Sequence, residues 1–453
     1  MAGPLARFSL LRAHPARVTV LAFAFAALAG AALLTLPVAR ADGTSTGFVT
    51  ALFTAVSAVC VTGLVTVDTG TYWSGFGEGV ILTLIQIGGF GIMTLASLLA
   101  LLVSGRLRLR MQLTAQAETK TLDIGQVRRV LLGVAGTTLI VELSVAAALA
   151  LRFRYGYAMS FGEAVHHAVF HAVSAFNNAG FGLRPDNLMR YVTDPWVQLP
   201  ISAAVILGGL GFPVLLELLR HRSRSRGPRR WSLHTKLTLI TTAGLLATGT
   251  LLTCLLEWRN PATLGALDTG HKLLNGFFHS TMSRTAGFNA LDIGKMEPAT
   301  LLSTCVLMFI GGGSAGTAGG IKVTTFAVLA VAILAEVRGE PTSGVLGRKL
   351  APHVLRQALT VVLLGVGLVT SATLALLTVV KAPFEYVLFE AVSAFGTVGL
   401  SAGITSDLGT GGELIVILLM FVGRLGPVTL VSALALRERT RRYQLPEERP
   451  IIG

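Results

Sequence analysis

Apolar residues in this chain gather into long runs separated by short polar connections, unlike the narrow helical stripes or strict alternation of a water-soluble fold. Eight runs, 18–38, 74–103, 127–151, 195–219, 234–257, 299–336, 355–380 and 410–436, reach the ~20 residues that an α-helix needs to cross a bilayer. They come in pairs, and between the members of each pair sits a further apolar segment of about ten residues, too short to span. Such a segment predicts a re-entrant helix that dips into the membrane and returns. The first run follows Arg7, Arg12 and Arg17 and so imitates a secretory signal. It exceeds the ~7–15 residues of a signal's apolar core, and an uncleaved transmembrane helix is expected instead.

The four short segments are copies of one unit. Thr50–Leu64 (TALFTAVSAVCVTGL), His167–Phe181 (HAVFHAVSAFNNAGF), Leu274–Phe288 (LNGFFHSTMSRTAGF) and Tyr386–Leu400 (YVLFEAVSAFGTVGL) align without gaps. Phe53, Phe170, Phe277 and Phe389 share one column, Ser57, Ser174, Thr281 and Ser393 a second, and Gly63, Gly180, Gly287 and Gly399 a third. A descending helix that ends in an extended, glycine-containing strand leaves carbonyls without intrahelical partners, and lipid cannot satisfy them. Backbone of that kind is tolerated where it lines a wet path. Four such strands about one axis would offer rings of carbonyl oxygens able to replace the water shell of a monovalent cation. Glycine suits the strand because it adopts φ > 0 without steric penalty.

The expected fold is therefore an all-α polytopic membrane protein: eight transmembrane helices plus four re-entrant pore helices, set as four helix–pore-loop–helix repeats around a central pore. A single membrane domain over 1–453 contains repeats at 18–103, 127–219, 234–336 and 355–436, followed by a cytoplasmic tail at 437–453.

Composition and charge agree with a lipid solvent. With 52% hydrophobic and 13% charged residues and a mean hydropathy of +0.69, the chain lacks the polar surface that 453 residues would present to water. The formal charge of +14 could suggest nucleic acid, but 25 of the 37 Lys and Arg residues lie in five segments: the N-terminal stretch, 104–129, 220–236, 338–356 and the tail from Arg437. These fall at every second membrane face, the positive-inside pattern. It places both termini in the cytoplasm, with Asp42, Asp68, Asp186, Asp194, Asp268, Asp292 and Asp407 on the other side. Anionic lipid, and no nucleic acid, is the expected neighbour of the basic loops. Cys60, Cys254 and Cys305 are far apart in apolar stretches and form neither a disulfide framework nor a zinc motif.

The strings V-T-G-L, N-A-G-F, T-A-G-F and T-V-G-L, with SAFNNAGF and MSRTAGFN around them, resemble the pore loops of the Trk/Ktr/HKT superfamily of potassium transporters. The resemblance covers nearly the whole chain and is nearest to the membrane subunit of bacterial Ktr-type uptake systems. It implies that Val61, Thr62 and Gly63, Asn178, Ala179 and Gly180, Thr285, Ala286 and Gly287, and Thr397, Val398 and Gly399 form a selectivity filter for potassium. Glycine in the first repeat goes with potassium preference in that family, and serine there with sodium-favouring plant members. Each strand has one filter glycine where tetrameric potassium channels have two, so a less stringent selectivity is expected. The resemblance also implies a homodimer with one pore per protomer, a cytoplasmic nucleotide-binding regulatory ring as partner, a bacterial inner membrane as location, and sodium as a candidate coupling ion beside potassium.

Two features inside the spans stand out. Residues 311–320 (Gly311, Gly312, Gly313, Ser314, Ala315, Gly316, Thr317, Ala318, Gly319, Gly320) interrupt the second long run of repeat three. Glycine costs roughly 1 kcal/mol against alanine at each helical position, so a flexible loop at mid-membrane depth is expected, with close helix packing through small residues as the other reading. The resemblance implies an intramembrane gating loop there, with Lys322 just past it. Arg424 sits beyond snorkelling reach within 410–436. It is expected beneath the filter as a positive barrier to cations in contact with the glycine loop, or else paired with Glu142, the other charge deep in a span. His166, His167 and His171 lie on the second pore helix, and His167 and His171 have the i, i+4 spacing of metal ligands, but the other repeats carry Phe53, Thr54, Phe278, Phe389 or Glu390 nearby; no metal beyond potassium is expected. Arg284 replaces a small residue of the third strand and is expected to point outward.

Nothing in the chain resembles a catalytic constellation, a nucleotide-binding loop or a paired haem ligand, so an enzyme is not expected. The rival reading is a secondary transporter of a small solute, which also uses broken helices and midplane glycines. That architecture uses inverted repeats, whereas the four copies here run in one direction.

Overall fold

The computed structural model describes residues 15–112, 124–222, 231–340 and 344–426. The tail at 437–453, the end of the last apolar run (427–436), Arg7, Arg12, Lys120 and most of the basic cluster at 220–230 lie outside the described residues.

The described chain is helical apart from a hairpin of two-residue strands, Gly344–Val345 with Arg348–Lys349. Repeat one contributes α1 (Pro15–Leu34), the pore helix α2 (Phe48–Val59), a single turn α3 (Thr69–Tyr72) and α4 (Gly75–Gln112). Repeat two follows with α5 (Ile124–Gly156), pore helix α6 (Phe161–Phe176), α7 (Pro195–Leu210) and α8 (Phe212–Arg222). Next come α9 (Leu233–Glu257), pore helix α10 (Thr269–Met282), α11 (Pro298–Phe309) and α12 (Val323–Val337), then α13 (Pro352–Val379), pore helix α14 (Phe384–Gly396) and α15 (Gly409–Leu425).

Local chemistry sets several of these starts. Asp194 caps α7 ahead of Pro195, while Ser160, Ser232 and Asp268 accept backbone N–H groups at the starts of α6, α9 and α10. The pore helices are 12, 16, 14 and 13 residues long, and at ~1.5 Å per residue none reaches across ~30 Å of hydrocarbon. Leu131–Gly156, Leu233–Glu257 and Pro352–Val379 are each long and apolar enough to cross unbroken. Their outer faces carry bare aliphatics, with Ile140 70%, Leu255 67% and Leu363 69% exposed, whereas Thr54, Ser57, Ser174, Asn178 and Thr285 are buried. This distribution, polar inside and apolar outside, is that of a protein dissolved in lipid.

The spans expected as continuous over 195–219 and 299–336 are both broken. The first bends by 103° at Gly211, whose φ of +92° only glycine adopts freely, and Pro213 then starts α8. The second is interrupted by residues 310–322, whose ends are joined by a parallel bridge between Ile310 and Ile321. Four units close into a ring: α4 packs on α5 and α6, α7 on α10, α11 on α14, and α15 returns to α2. The pore helices point inward within that ring, and the strands that follow them meet at its centre.

Candidate functional site

Each pore helix ends in a strand with the same backbone signature. The residue two before the glycine and the glycine itself both take positive φ: Val61 (+56°) and Gly63 (+94°), Asn178 (+60°) and Gly180 (+71°), Thr285 (+82°) and Gly287 (+67°), Thr397 (+48°) and Gly399 (+93°). The strands fold back on their own helices, with Thr62 N–H donating to Ser57 O (2.8 Å), Ala179 to Ser174 O (2.7 Å), Ala286 to Met282 O (3.0 Å) and Val398 to Ser393 O (2.9 Å). Their carbonyls are left over. Among the described residues none of the twelve carbonyl oxygens of the four glycine triplets accepts a protein hydrogen bond. Unpaired buried carbonyls are uncommon singly, and twelve together require water or a cation.

The four glycines form a closed ring. A Cβ added to Gly63 would strike Ala179 O and lie 3.1 Å from Gly180 Cα. One on Gly180 would strike Ala286 O, one on Gly287 would strike Val398 O and one on Gly399 would strike Thr62 O, each 3.0 Å from the Cα of the next glycine. Any side chain there would wedge two repeats apart. Outside this ring opens a vestibule of about 330 Å³, lined by residues that follow the glycines, among them Leu64, Phe181, Asn289 and Ser401.

The shared serines now have a physical reason. Ser57 Oγ donates to Leu64 O (2.8 Å) and accepts from Gly63 N–H (3.1 Å), Ser174 Oγ donates to Phe181 O (2.9 Å), and Ser393 Oγ accepts from Gly399 N–H (3.1 Å). They clamp the strand where it folds back on its own helix. Repeat three departs from this pattern, because Thr281 Oγ1 turns back to Phe277 O. It also departs in its aromatic anchor: Phe53, Phe170 and Phe389 are buried, but in repeat three the fully buried ring is Phe278 and Phe277 is only half-buried. Ser57→Ala should lower the thermal stability of the purified protein, by about 1–2 kcal/mol for two lost hydrogen bonds, without unfolding it. A melting curve in detergent that matches the unsubstituted protein would count against the clamp.

The glycine loop sits on the face of the ring opposite the vestibule, and it is pinned rather than floppy. Gly313 N–H donates to Gly209 O (2.7 Å), Thr317 N–H to Gly208 O (3.1 Å) and Phe212 N–H to Ala315 O (3.2 Å), so the loop is laced to the break between α7 and α8. Gly311, Gly312, Gly313, Ala318 and Gly319 are buried, as are Gly316 and Thr317. Glycine removes the helix preference here while leaving the backbone free to bond elsewhere. Gly319 abuts Thr397, and Thr317 abuts Asn178, so the loop reaches strands two and four.

Arg424 is buried and donates through Nη1 to Thr317 O and through Nη2 to Gly88 O (3.3 Å), while Lys322 Nζ donates to Ala318 O (2.6 Å). With Arg284, which donates to Gly311 O, three cations therefore converge on the loop. The pairing of Arg424 with Glu142 does not occur: Glu142 accepts from Asn177 Nδ2 (3.1 Å), which also reaches Gln86. Arg284 is buried between α9 and the loop, donating to Thr242 O (3.2 Å) and Gly311 O (3.3 Å), away from the ring. Of the three histidines, His166 pairs with Glu78 (2.8 Å), and His171 bonds His167 O and stacks with Phe288.

A second repeated signal is absent from the sequence reading above. Gly88, Gly208 and Gly423 each lie against the last turn of their own repeat's pore helix, where a Cβ would strike Val59 O, Phe176 O and Phe395 O respectively. In sequence they belong to I-G-G, L-G-G and V-G-R, and Gly311 heads the corresponding I-G-G of repeat three. The column after them reads Gly89, Gly209, Gly312, Arg424, so the buried arginine occupies a place that glycine holds in the other three repeats.

The chain is similar to known proteins over nearly its whole length. A family model described as TrkH, a cation transport protein, matches residues 9–440. Ktr system potassium uptake protein B of Bacillus subtilis is 42% identical over 434 residues, 96% of each chain, and its namesake from Vibrio alginolyticus is 40% identical over 96% of this chain and 94% of its own. Potassium/sodium uptake protein NtpJ of Enterococcus hirae is 35% identical over 98% of both chains. The crystal structure of the potassium transporter TrkH from Vibrio parahaemolyticus superposes with a TM-score of 0.70, covering 92% of this chain and 84% of that one; at 18% identity it speaks for the fold alone. With the match running almost end to end, the chain belongs to the TrkH family of cation transport proteins.

Proposed function

We propose that this chain is the pore-forming subunit of a bacterial potassium uptake system, a multi-pass protein of the cytoplasmic membrane. The observation that carries the proposal is the closed ring of Gly63, Gly180, Gly287 and Gly399, with the carbonyls of their triplets free of protein donors. Carbonyl oxygens ringed in this way substitute for the hydration shell of a weakly hydrated cation, which is the chemistry of a selectivity filter. The relatives named for potassium uptake support potassium as the ion, and the one named for potassium and sodium makes sodium the ion to test against it.

In this reading the loop 311–320 is the gate. It lies behind the filter, and Lys322 and Arg424 add positive charge along the same path, a barrier to any cation leaving the ring on that side. The four repeats divide the domain as 18–103, 127–219, 234–336 and 355–436. The basic segments put the gate side in the cytoplasm, where anionic lipid meets the basic loops. Relatives named as parts of a Ktr system support a further subunit, and a nucleotide-binding ring acting on a homodimer is the arrangement we assign.

The test is rubidium uptake by the purified protein in liposomes, with sodium as competitor. Saturable rubidium entry that potassium blocks better than sodium is the expected result. Entry of an organic solute without rubidium movement would instead favour the broken-helix transporter.

A further inference from the structure

Within the loop, Thr317 differs from its neighbours in having every polar atom engaged on a different element. Its N–H bonds Gly208 O at the broken span, its carbonyl receives Arg424 from α15, and its hydroxyl donates to Phe176 O (3.2 Å) at the end of α6 and lies 2.9 Å from the side chain of Asn178 in the second filter strand. The Asn178 amide satisfies all its neighbours when its nitrogen faces Thr317 Oγ1 (2.9 Å), Phe176 O (3.3 Å) and Val205 O (3.3 Å), which leaves its carbonyl toward Thr285 Oγ1, 3.3 Å away on the next strand. The amide thus joins the loop, two filter strands and α7.

Of the four residues two before a filter glycine, Val61 has no polar side chain, Thr285 bonds only Asn178, and the buried Thr397 Oγ1 has no hydrogen-bond partner among the described residues although Gly319 abuts it. Movement of the loop therefore removes a side-chain hydrogen bond from Asn178 in strand two, and from strand three only the contact of Arg284 with Gly311 O, with none from strands one and four. Asn178 is also a non-glycine residue at φ +60°, a conformation that persists when its surroundings hold it.

We propose that the Thr317–Asn178 contact is a latch that couples the gate to the filter, with Asn178 as the positioning residue through which loop opening loosens strand two. The proposal rests on the reading of 311–320 as the gate. It makes selectivity depend on the state of the gate, so that an unlatched pore is both faster and less discriminating.

The experiment compares rubidium and sodium uptake in liposomes holding the full chain, its Thr317→Val and Thr317→Ser variants, and a chain shortened within the loop by deletion of Ser314–Gly316. Loss of the hydroxyl's two buried hydrogen bonds, to Asn178 and to Phe176 O, predicts that Thr317→Val raises rubidium flux and lowers the rubidium-to-sodium ratio, each by roughly three- to tenfold, while Thr317→Ser behaves as the unsubstituted chain. Faster flux with an unchanged ratio in Thr317→Val would overturn the coupling and leave the gate standing. Unchanged flux and ratio in Thr317→Val would also overturn it, as would Thr317→Ser behaving like Thr317→Val, which would assign the effect to shape and not to the hydroxyl. A shortened loop with ordinary flux would overturn the gate itself. Should valine's second methyl prevent folding, Thr317→Ala removes the same hydroxyl without added bulk and carries the same expectations.

Discussion

Gly63→Ser should lower the pore's preference for potassium over sodium by at most about tenfold, because holding a non-glycine residue in the left-handed region costs roughly 1–2 kcal/mol, the strand shifts to relieve it, and only the part of that energy that distinguishes the two ions reaches the ratio. The structure gives the reason in two parts. Gly63 has φ +94°, and its missing Cβ points at Ala179 O in the neighbouring strand. Serine at this position must shift one strand or the other, and the carbonyls that move are those left without protein donors. A weakly selective ring admits the smaller, more strongly hydrated sodium ion more readily. Competition of sodium against rubidium uptake is the measurement. A ratio equal to that of the unsubstituted protein would remove Gly63 from the filter.

Shortening the glycine loop should have an effect as large and in the opposite direction on rate. The loop is held by several backbone hydrogen bonds to the break between α7 and α8, and by Arg424 and Lys322 on its own carbonyls. Each such bond contributes about 0.5–1.5 kcal/mol, so deletion of Ser314–Gly316, which breaks the lacing at Ala315 and strains the rest, should raise rubidium flux by at least about tenfold. The variant must first be shown to fold, by a monodisperse profile and a cooperative melt. Given a folded variant, flux that stays flat would mean that the loop does not obstruct the path.

Much of this arrangement was legible in the residues. The four glycine strands were found because they recur in register, and recurrence survives even where each copy is weak: Thr281 and Phe277 both depart from the pattern in repeat three, yet the glycine column holds. Run length alone was less informative. The stretch 195–219 reads as one span by hydropathy, since Leu210, Gly211, Phe212 and Pro213 are all compatible with an apolar average, and only the order Gly then Pro encodes a stop and a new start. The order of the loop was hidden for a different reason. Its composition excludes helix, but the donors and acceptors that fix it belong to Gly208, Gly209 and Asn178, more than a hundred residues away. The column of Gly88, Gly208, Gly311 and Gly423 was within reach of a second search for repeats, with the Gly-Gly pairs as the clue and Arg424 as the exception that marks the fourth copy.

The ring of glycines has a handedness of its own. Each repeat presses on the one that follows it, the fourth on the first, so a bulky residue at one quarter displaces a single neighbour while the partner across the axis is left undisturbed. Double substitutions at Gly63 and Gly180 should therefore be strongly non-additive in ion preference. A single polypeptide with four unlike quadrants can in this way be retuned one quarter at a time, a freedom that an assembly of four identical subunits does not have.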